Sequence, residues 1–124
     1  MRPPLKIFYM EDDSQLADLL DCRLKKLGYD VCGHADNAGA AVDGIRTSEP
    51  DIALLDIELQ GRNEGIAVGD YLLNNTDIPF VYMTGHDESE ILEQARRTVP
   101  DGFLLKPFDE RQLRVAVEMA MRKD

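Results

Sequence analysis

Four stretches of this 124-residue chain carry side chains that can do chemistry together: Glu11-Asp12-Asp13, Asp56, Thr84 and Lys106-Pro107. The three consecutive acids follow an apolar and aromatic run, Ile7-Phe8-Tyr9-Met10. Packed like charges repel and resist desolvation. A hard divalent cation removes that penalty. Mg²⁺ prefers oxygen ligands, keeps several waters and is usually held by one or two carboxylates plus phosphate oxygens. Lys106 offers a point charge suited to a phosphoryl group, and Thr84 a hydroxyl donor. A carboxylate can itself take up a phosphoryl group as an acyl phosphate. Asp56 is the natural nucleophile of the set. Asp13 differs from its two neighbours. It directly precedes Ser14-Gln15-Leu16 and is placed to cap a helix.

Residues this far apart in sequence meet only if the fold gathers them. Five strand-like runs alternate with five helix-like ones. The strands are expected at Lys6 to Met10, Asp30 to His34, Asp51 to Leu55, Pro79 to Met83 and Gly102 to Leu105. Runs such as Ile52-Ala53-Leu54-Leu55 and Phe80-Val81-Tyr82-Met83 are apolar on both faces, as in parallel strands covered by helices on both sides. Leu16, Leu19, Leu20, Leu24 and Leu27 form one helical stripe, which Gly28 is placed to end. Leu113, Ala116, Val117, Ala120 and Met121 form another. Weaker helical patterns run around Ala38 to Arg46, Ile66 to Leu73 and Ser89 to Arg97. The alternation predicts an α/β (βα)5 fold, an open, doubly wound, five-stranded parallel sheet with right-handed crossovers. Ligands of such sheets bind beyond the carboxyl ends of the strands. The four stretches stand at the ends of the first, third, fourth and fifth strands.

Composition narrows the partners. The formal net charge is −10, which argues against direct nucleic-acid binding, since phosphate contacts need a basic surface. Cations and basic protein surfaces remain. No apolar run approaches the roughly 18 residues of a membrane span, and the N-terminus has no signal-peptide pattern. A cytoplasmic domain without membrane contact is expected. Cys22 and Cys32 lack metal-ligand spacing and read as reduced thiols that pack as small apolar groups. His34 and His86 are isolated and read as surface or strand-end residues rather than ligands. The basic residues Arg96, Arg97, Arg111, Arg114, Arg122 and Lys123 read mainly as solvated helix faces, with partner docking as the other reading. Met119 and Met121 read as core or interface residues.

In this order, and from about Lys6 to Arg122, the motifs resemble the receiver domain of two-component response regulators. Glu11 and Asp12 match its acidic pair, Asp56 in "PDIALLDIEL" its phosphoacceptor, Thr84 in "FVYMTGHDE" its hydroxyl residue, and Lys106-Pro107 in "GFLLKPF" its Lys-Pro. The resemblance implies the flavodoxin-like strand order 2-1-3-4-5. It implies transfer of a phosphoryl group to Asp56 from a sensor histidine kinase or a histidine phosphotransfer protein. It implies Mg²⁺, for which Mn²⁺ could substitute, held by Asp12, Asp56 and the backbone carbonyl of Glu58, with Glu11 acting through water. Thr84 and Lys106 would hold the phosphoryl oxygens. Movement of Thr84 would let Phe103 turn inward, changing the face made by helix four, strand five and helix five, which is also a possible homodimer surface. The resemblance and the chain reversal needed at Lys106 both imply a cis Lys106-Pro107 bond.

The chain departs from the family in places. The loop after Asp56 reads Gln60-Gly61-Arg62-Asn63-Glu64-Gly65, about one residue longer than the commonest spacing. Gly85 stands where Ala is commoner, and the switch aromatic is Phe rather than Tyr. Glu58 and His86, each two residues past a site residue, either gate the water that ends the acyl phosphate's life or are merely solvated. Two other functions stay open: a Mg²⁺-dependent phosphatase or nucleic-acid cleavage domain using Glu11 and the Asp56/Glu58 pair, and a degenerate receiver that only docks proteins. The first would favour a second aspartate two residues after Asp56 and would not need Lys106-Pro107. The second would be expected to have lost an acid, the acceptor or the lysine. The expected organisation is a single receiver over residues 1–124, with no output domain visible, either standing alone or cut from a longer regulator.

Overall fold

The computed structural model describes residues 3–59, 61–85 and 89–122. Its elements alternate strictly: β1 (Lys6–Met10), α1 (Ser14–Lys26), β2 (Asp30–Ala35), α2 (Ala38–Ser48), β3 (Ile52–Asp56), α3 (Glu64–Asn75), β4 (Phe80–Thr84), α4 (Ser89–Arg96), β5 (Gly102–Leu105) and α5 (Glu110–Met121). All strand pairs are parallel, in the order β2-β1-β3-β4-β5, a flavodoxin-like sheet.

Every residue of β3 and β4 is buried, as their two-sided apolar runs require. Even-numbered positions such as Phe8, Met10, Phe80 and Tyr82 pack against α2, α3 and α4 through Ile45, Val68, Leu72 and Ala95. Odd-numbered β1 and β4 positions such as Ile7, Val81 and Met83 pack against α1 and α5 through Leu20, Leu24, Leu113 and Val117. The functional edge is set by register. Met10 pairs with Leu55, Asp56 with Met83 and Thr84 with Leu105, so these strand ends form one rim.

Helix ends follow local chemistry. The Asp13 side chain accepts from the N–H groups of Gln15 and Leu16 at 2.9 and 3.1 Å, capping α1. At the other end, Gly28 N–H reaches Lys25 O and Tyr29 N–H reaches Leu24 O, a paired closure that needs the left-handed φ of 91° at Gly28.

Two expectations change. Within the α1 stripe only Leu20 and Leu24 are buried, whereas Leu16 and Leu19 are 42% and 45% exposed. They line a groove between α1 and the β5–α5 turn instead of resting on the sheet. Cys32 packs on the core, but Cys22 is exposed. It lies two residues from Leu20, about 200° around the helix. Met121 packs against the core and Met119 is exposed on α5, which fits the expected core or interface roles. The exposed Arg96 makes a 3.9 Å pairing with exposed Glu93, as a solvated face would. Among the described residues, no helix is long and apolar enough to cross a membrane.

Candidate functional site

The carboxyl rim brings together the residues that the sequence scatters. Asp56 is the last residue of β3 and Thr84 the last of β4; both are buried. Glu11 follows β1 and is also buried, while Asp12 is exposed beside it. One carboxylate oxygen from each of Glu11, Asp12 and Asp56 lies within 4.8 Å of the other two. Lys106, just past β5, donates to Glu11 Oε1 at 2.6 Å and to Asp56 Oδ2 at 2.9 Å. Its direct bond to Glu11 is a pairing that the motif spacing does not disclose. A cleft of about 350 Å³ opens over the group, lined by Asp12, Asp56, Glu58, Gly61, Thr84, Gly85 and Lys106.

Backbone bonds hold the rim rigid. Glu11 N–H donates to Ala35 O, Ile57 N–H to Met83 O and Lys106 N–H to Thr84 O, at 3.0, 3.0 and 2.7 Å. The second Glu11 oxygen accepts from Asp13 N–H at 3.2 Å. The Lys106-Pro107 peptide is cis. After Asp56, Leu59 and Arg62 form a small antiparallel bridge, with Leu59 buried and Gly61 at a φ of 74° in the turn. The Leu59–Arg62 pairing thus lies beside Gly61, which lines the cleft. Glu64 then accepts from Ala38 N–H at 2.9 Å, tying the start of α3 to the start of α2.

Gly65 is a positioning residue that the motifs do not flag. A Cβ there would collide with the Asp56 carbonyl oxygen and Ile57 Cα. The Gly65 N–H bonds to Ile57 O at 3.0 Å. The available signal was a glycine in the first turn of a helix, where glycine is otherwise costly.

Electrostatics fit a divalent cation. With all three ionised, the carboxylates against one ammonium leave two net negative charges in a partly dry site. Burial pushes the Asp56 carboxyl up to about 7; Lys106 opposes the shift and Glu11 adds to it. Burial works against the Lys106 charge as well, but its bonds to Glu11 and Asp56 win and raise its pKa. The cluster therefore lacks positive charge. Oxygen donors, two missing charges and an open cleft suit Mg²⁺.

The remaining expected residues are placed as follows. Glu58 is half-buried on the cleft wall. Phe103 is 38% exposed on β5, its ring 5.8 Å from that of Tyr82. His86 lies outside the described residues.

The response regulator receiver domain model matches residues 7–118. This chain belongs to the receiver domain family. The chain is similar to the signal receiver domain of a modulated diguanylate cyclase from Desulfovibrio desulfuricans G20, at 34% identity and a TM-score of 0.88, covering 95% of this chain and 94% of that one. The N-terminal domain of a response regulator/sensory box/GGDEF 3-domain protein from Carboxydothermus hydrogenoformans is 30% identical, with a TM-score of 0.81 and 94% of each chain covered. The signal receiver domain of the putative response regulator NarL from Mycobacterium tuberculosis is 25% identical, with a TM-score of 0.88, covering 98% of this chain and all of that one. As a receiver, the chain is a module of two-component signalling.

Proposed function

We propose that this receiver accepts a phosphoryl group on Asp56 from a phosphohistidine of a sensor histidine kinase or histidine phosphotransfer protein, in a Mg²⁺-dependent reaction. The observation that carries the reading is the Asp56 carboxylate at the end of β3, held by Lys106 within an acidic group that lacks two positive charges.

An Asp56 carboxylate oxygen attacks phosphorus in line, and the histidine nitrogen leaves. Asp12, Asp56 and the backbone carbonyl of Glu58 would hold Mg²⁺ (or Mn²⁺ in its place), with Glu11 acting through water. The bound ion supplies charge neutralisation at the phosphoryl oxygens. Lys106 pairs with one of those oxygens and Thr84 donates its hydroxyl to another. The groove of about 370 Å³ beside Lys106, lined by Leu16, Leu19, Pro107 and Phe108, offers the partner an apolar footing next to the acceptor.

Thr84, drawn toward the new phosphate, makes room for Phe103 to turn inward, and the α4-β5-α5 face changes shape. Phe103, Leu105, Val115 and Met119 are exposed on that face and support its use as a homodimer or target surface. Glu58, on the cleft wall, and His86 tune the phosphate's lifetime. The domain works in the cytoplasm, and its chemistry is limited to gaining and losing its own phosphoryl group. A docking-only receiver would have lost part of the set, whereas both acids, the acceptor and the lysine are present.

The test is incubation with acetyl phosphate, with Mg²⁺ or with EDTA, read by intact mass. One phosphoryl group per chain is expected with Mg²⁺ and none with EDTA. Equal labelling in EDTA, or steady turnover of phosphate esters without labelling, would overturn the reading.

A further inference from the structure

Tyr82 does something that neither phosphoryl chemistry nor core filling requires. It stands two residues before Thr84 on the same face of β4 and has no solvent exposure. A phenol buried so completely needs a partner. Its hydroxyl reaches across to Thr98, two residues beyond α4, at 2.5 Å. Thr98 gives its own proton to Ala95 O at 2.6 Å, inside α4. Its oxygen is therefore the acceptor, and Tyr82 the donor. Burial pushes the Tyr82 phenol up to about 12, so the donor keeps its proton across the working pH range.

The neighbours are built around this contact. α3 carries Gly69 where a Cβ would collide with the Tyr82 hydroxyl. Past the bond, Val99 adopts a left-handed φ of 53°, a conformation that β-branched residues avoid. A strained turn of this kind persists only where its surroundings hold it. Thr98 is the anchored residue directly before it. Phe103 also borders Tyr82, paired with it in register, the rings 5.8 Å apart and tilted by 39°. An inward turn of Phe103 moves its ring into space that Tyr82 borders.

We propose that the Tyr82–Thr98 hydroxyl pair is a latch that holds the end of α4 while Asp56 is unphosphorylated, and that the inward turn of Phe103 releases it. The proposal rests on the switching at Asp56 proposed above. Tyr82 thus acts as a positioning residue through which β5 reaches α4. Because the latch favours the resting form, removing it favours the switched form. By linkage, ligands of the switched form then bind more tightly.

The test uses Tyr82→Phe and Thr98→Val, which keep shape and remove the donor or the acceptor, and the double variant. Amide hydrogen exchange without phosphodonor reads the latch itself. Exchange at Thr98 and Val99 should quicken about tenfold in each single variant, and the double should be no faster than the faster single. Affinity for beryllofluoride with Mg²⁺, an acyl phosphate mimic, reads the coupling and should tighten about fivefold in each. Unchanged exchange would overturn the latch. Faster exchange with wild-type beryllofluoride affinity would overturn its link to the switch, leaving an ordinary structural bond. A wild type that takes neither beryllofluoride nor acetyl phosphate would overturn the Asp56 reading, and the proposal with it; the exchange measurement keeps that failure distinct from failure of the latch.

Discussion

The Asp56 carbonyl and the Gly65 backbone lie so close that a single added methyl group has no room. The first turn of α3 is pressed against the acceptor's own peptide, and we expect this contact to set where the Asp56 side chain points. Gly65→Ala must push α3 or the end of β3 aside. We expect a stability loss of about 1–3 kcal/mol in urea unfolding, as for other overpacked sites. Labelling by acetyl phosphate should slow by about tenfold, because small displacements of a reacting group are costly. A wild-type rate in a folded Gly65→Ala protein would show that the contact does not position Asp56.

Asp56 should weaken the resting fold in a pH-dependent way. Its carboxyl is raised from 3.8 to about 7 by burial, with Glu11 adding to the shift. The folded state therefore binds the proton more tightly than the unfolded state, and between these values stability falls as pH rises. Above about 7 the penalty is complete. Asp56→Asn removes it: the gain should be absent near pH 4, grow through pH 5 and 6, and level above 7 at about 2–4 kcal/mol without divalent ions. The raised Lys106 value lies above its ordinary 10.5, so its stabilising share is lost only at higher pH and does not disturb this window. Urea midpoints from pH 4 to 8 supply the measurement. A flat difference between the two proteins would contradict the electrostatic account.

The rim was legible in the sequence because a parallel α/β alternation makes strand ends meet, whatever their separation along the chain. Glu11, Asp12, Asp56, Thr84 and Lys106 are brought to one edge on that logic alone. Asp13 was legible too, as an acid directly before a helical period. Leu16 and Leu19 were not, because periodicity marks an apolar face without saying whether anything covers it. The loop's extra length was visible, but its Leu59–Arg62 bridge was not. The Tyr82–Thr98 bond joins residues with no local pattern between them, and Gly65 matters through a backbone oxygen that no side-chain motif records.

Val99 should be a site where glycine stabilises. Its φ of 53° carries the left-handed penalty of about 1–2 kcal/mol, and its side chain is exposed. Glycine removes that penalty but adds about 0.5–1 kcal/mol of unfolded-state entropy. Val99→Gly should therefore gain about 0.5–1 kcal/mol in urea unfolding. A loss of that size would mean the side chain carries packing that its exposure does not reveal.

Phosphate lifetime is expected to depend on Glu58 and His86. The Glu58 side chain belongs to a half-buried residue on the cleft wall. Glu58→Ala and His86→Ala should each change the decay of the phosphorylated protein several-fold and leave Mg²⁺ affinity nearly intact. If they act as one lid, the double variant falls short of the product of the two effects. Unchanged decay in both single variants would make them solvated bystanders.

The central claim is that Asp56 alone takes the phosphoryl group. Its most direct measurement is chemical. Borohydride reduces an acyl phosphate at its carbonyl carbon to an alcohol, which turns a phosphorylated aspartate into homoserine. After acetyl phosphate, Mg²⁺ and borohydride, peptide mass mapping should find homoserine at position 56 and no reduced carboxylate at Glu11, Asp12 or Glu58. Asp56→Asn should yield an unmodified map. Stoichiometric modification at another carboxylate in the wild type, or persistent labelling of Asp56→Asn, would contradict the account.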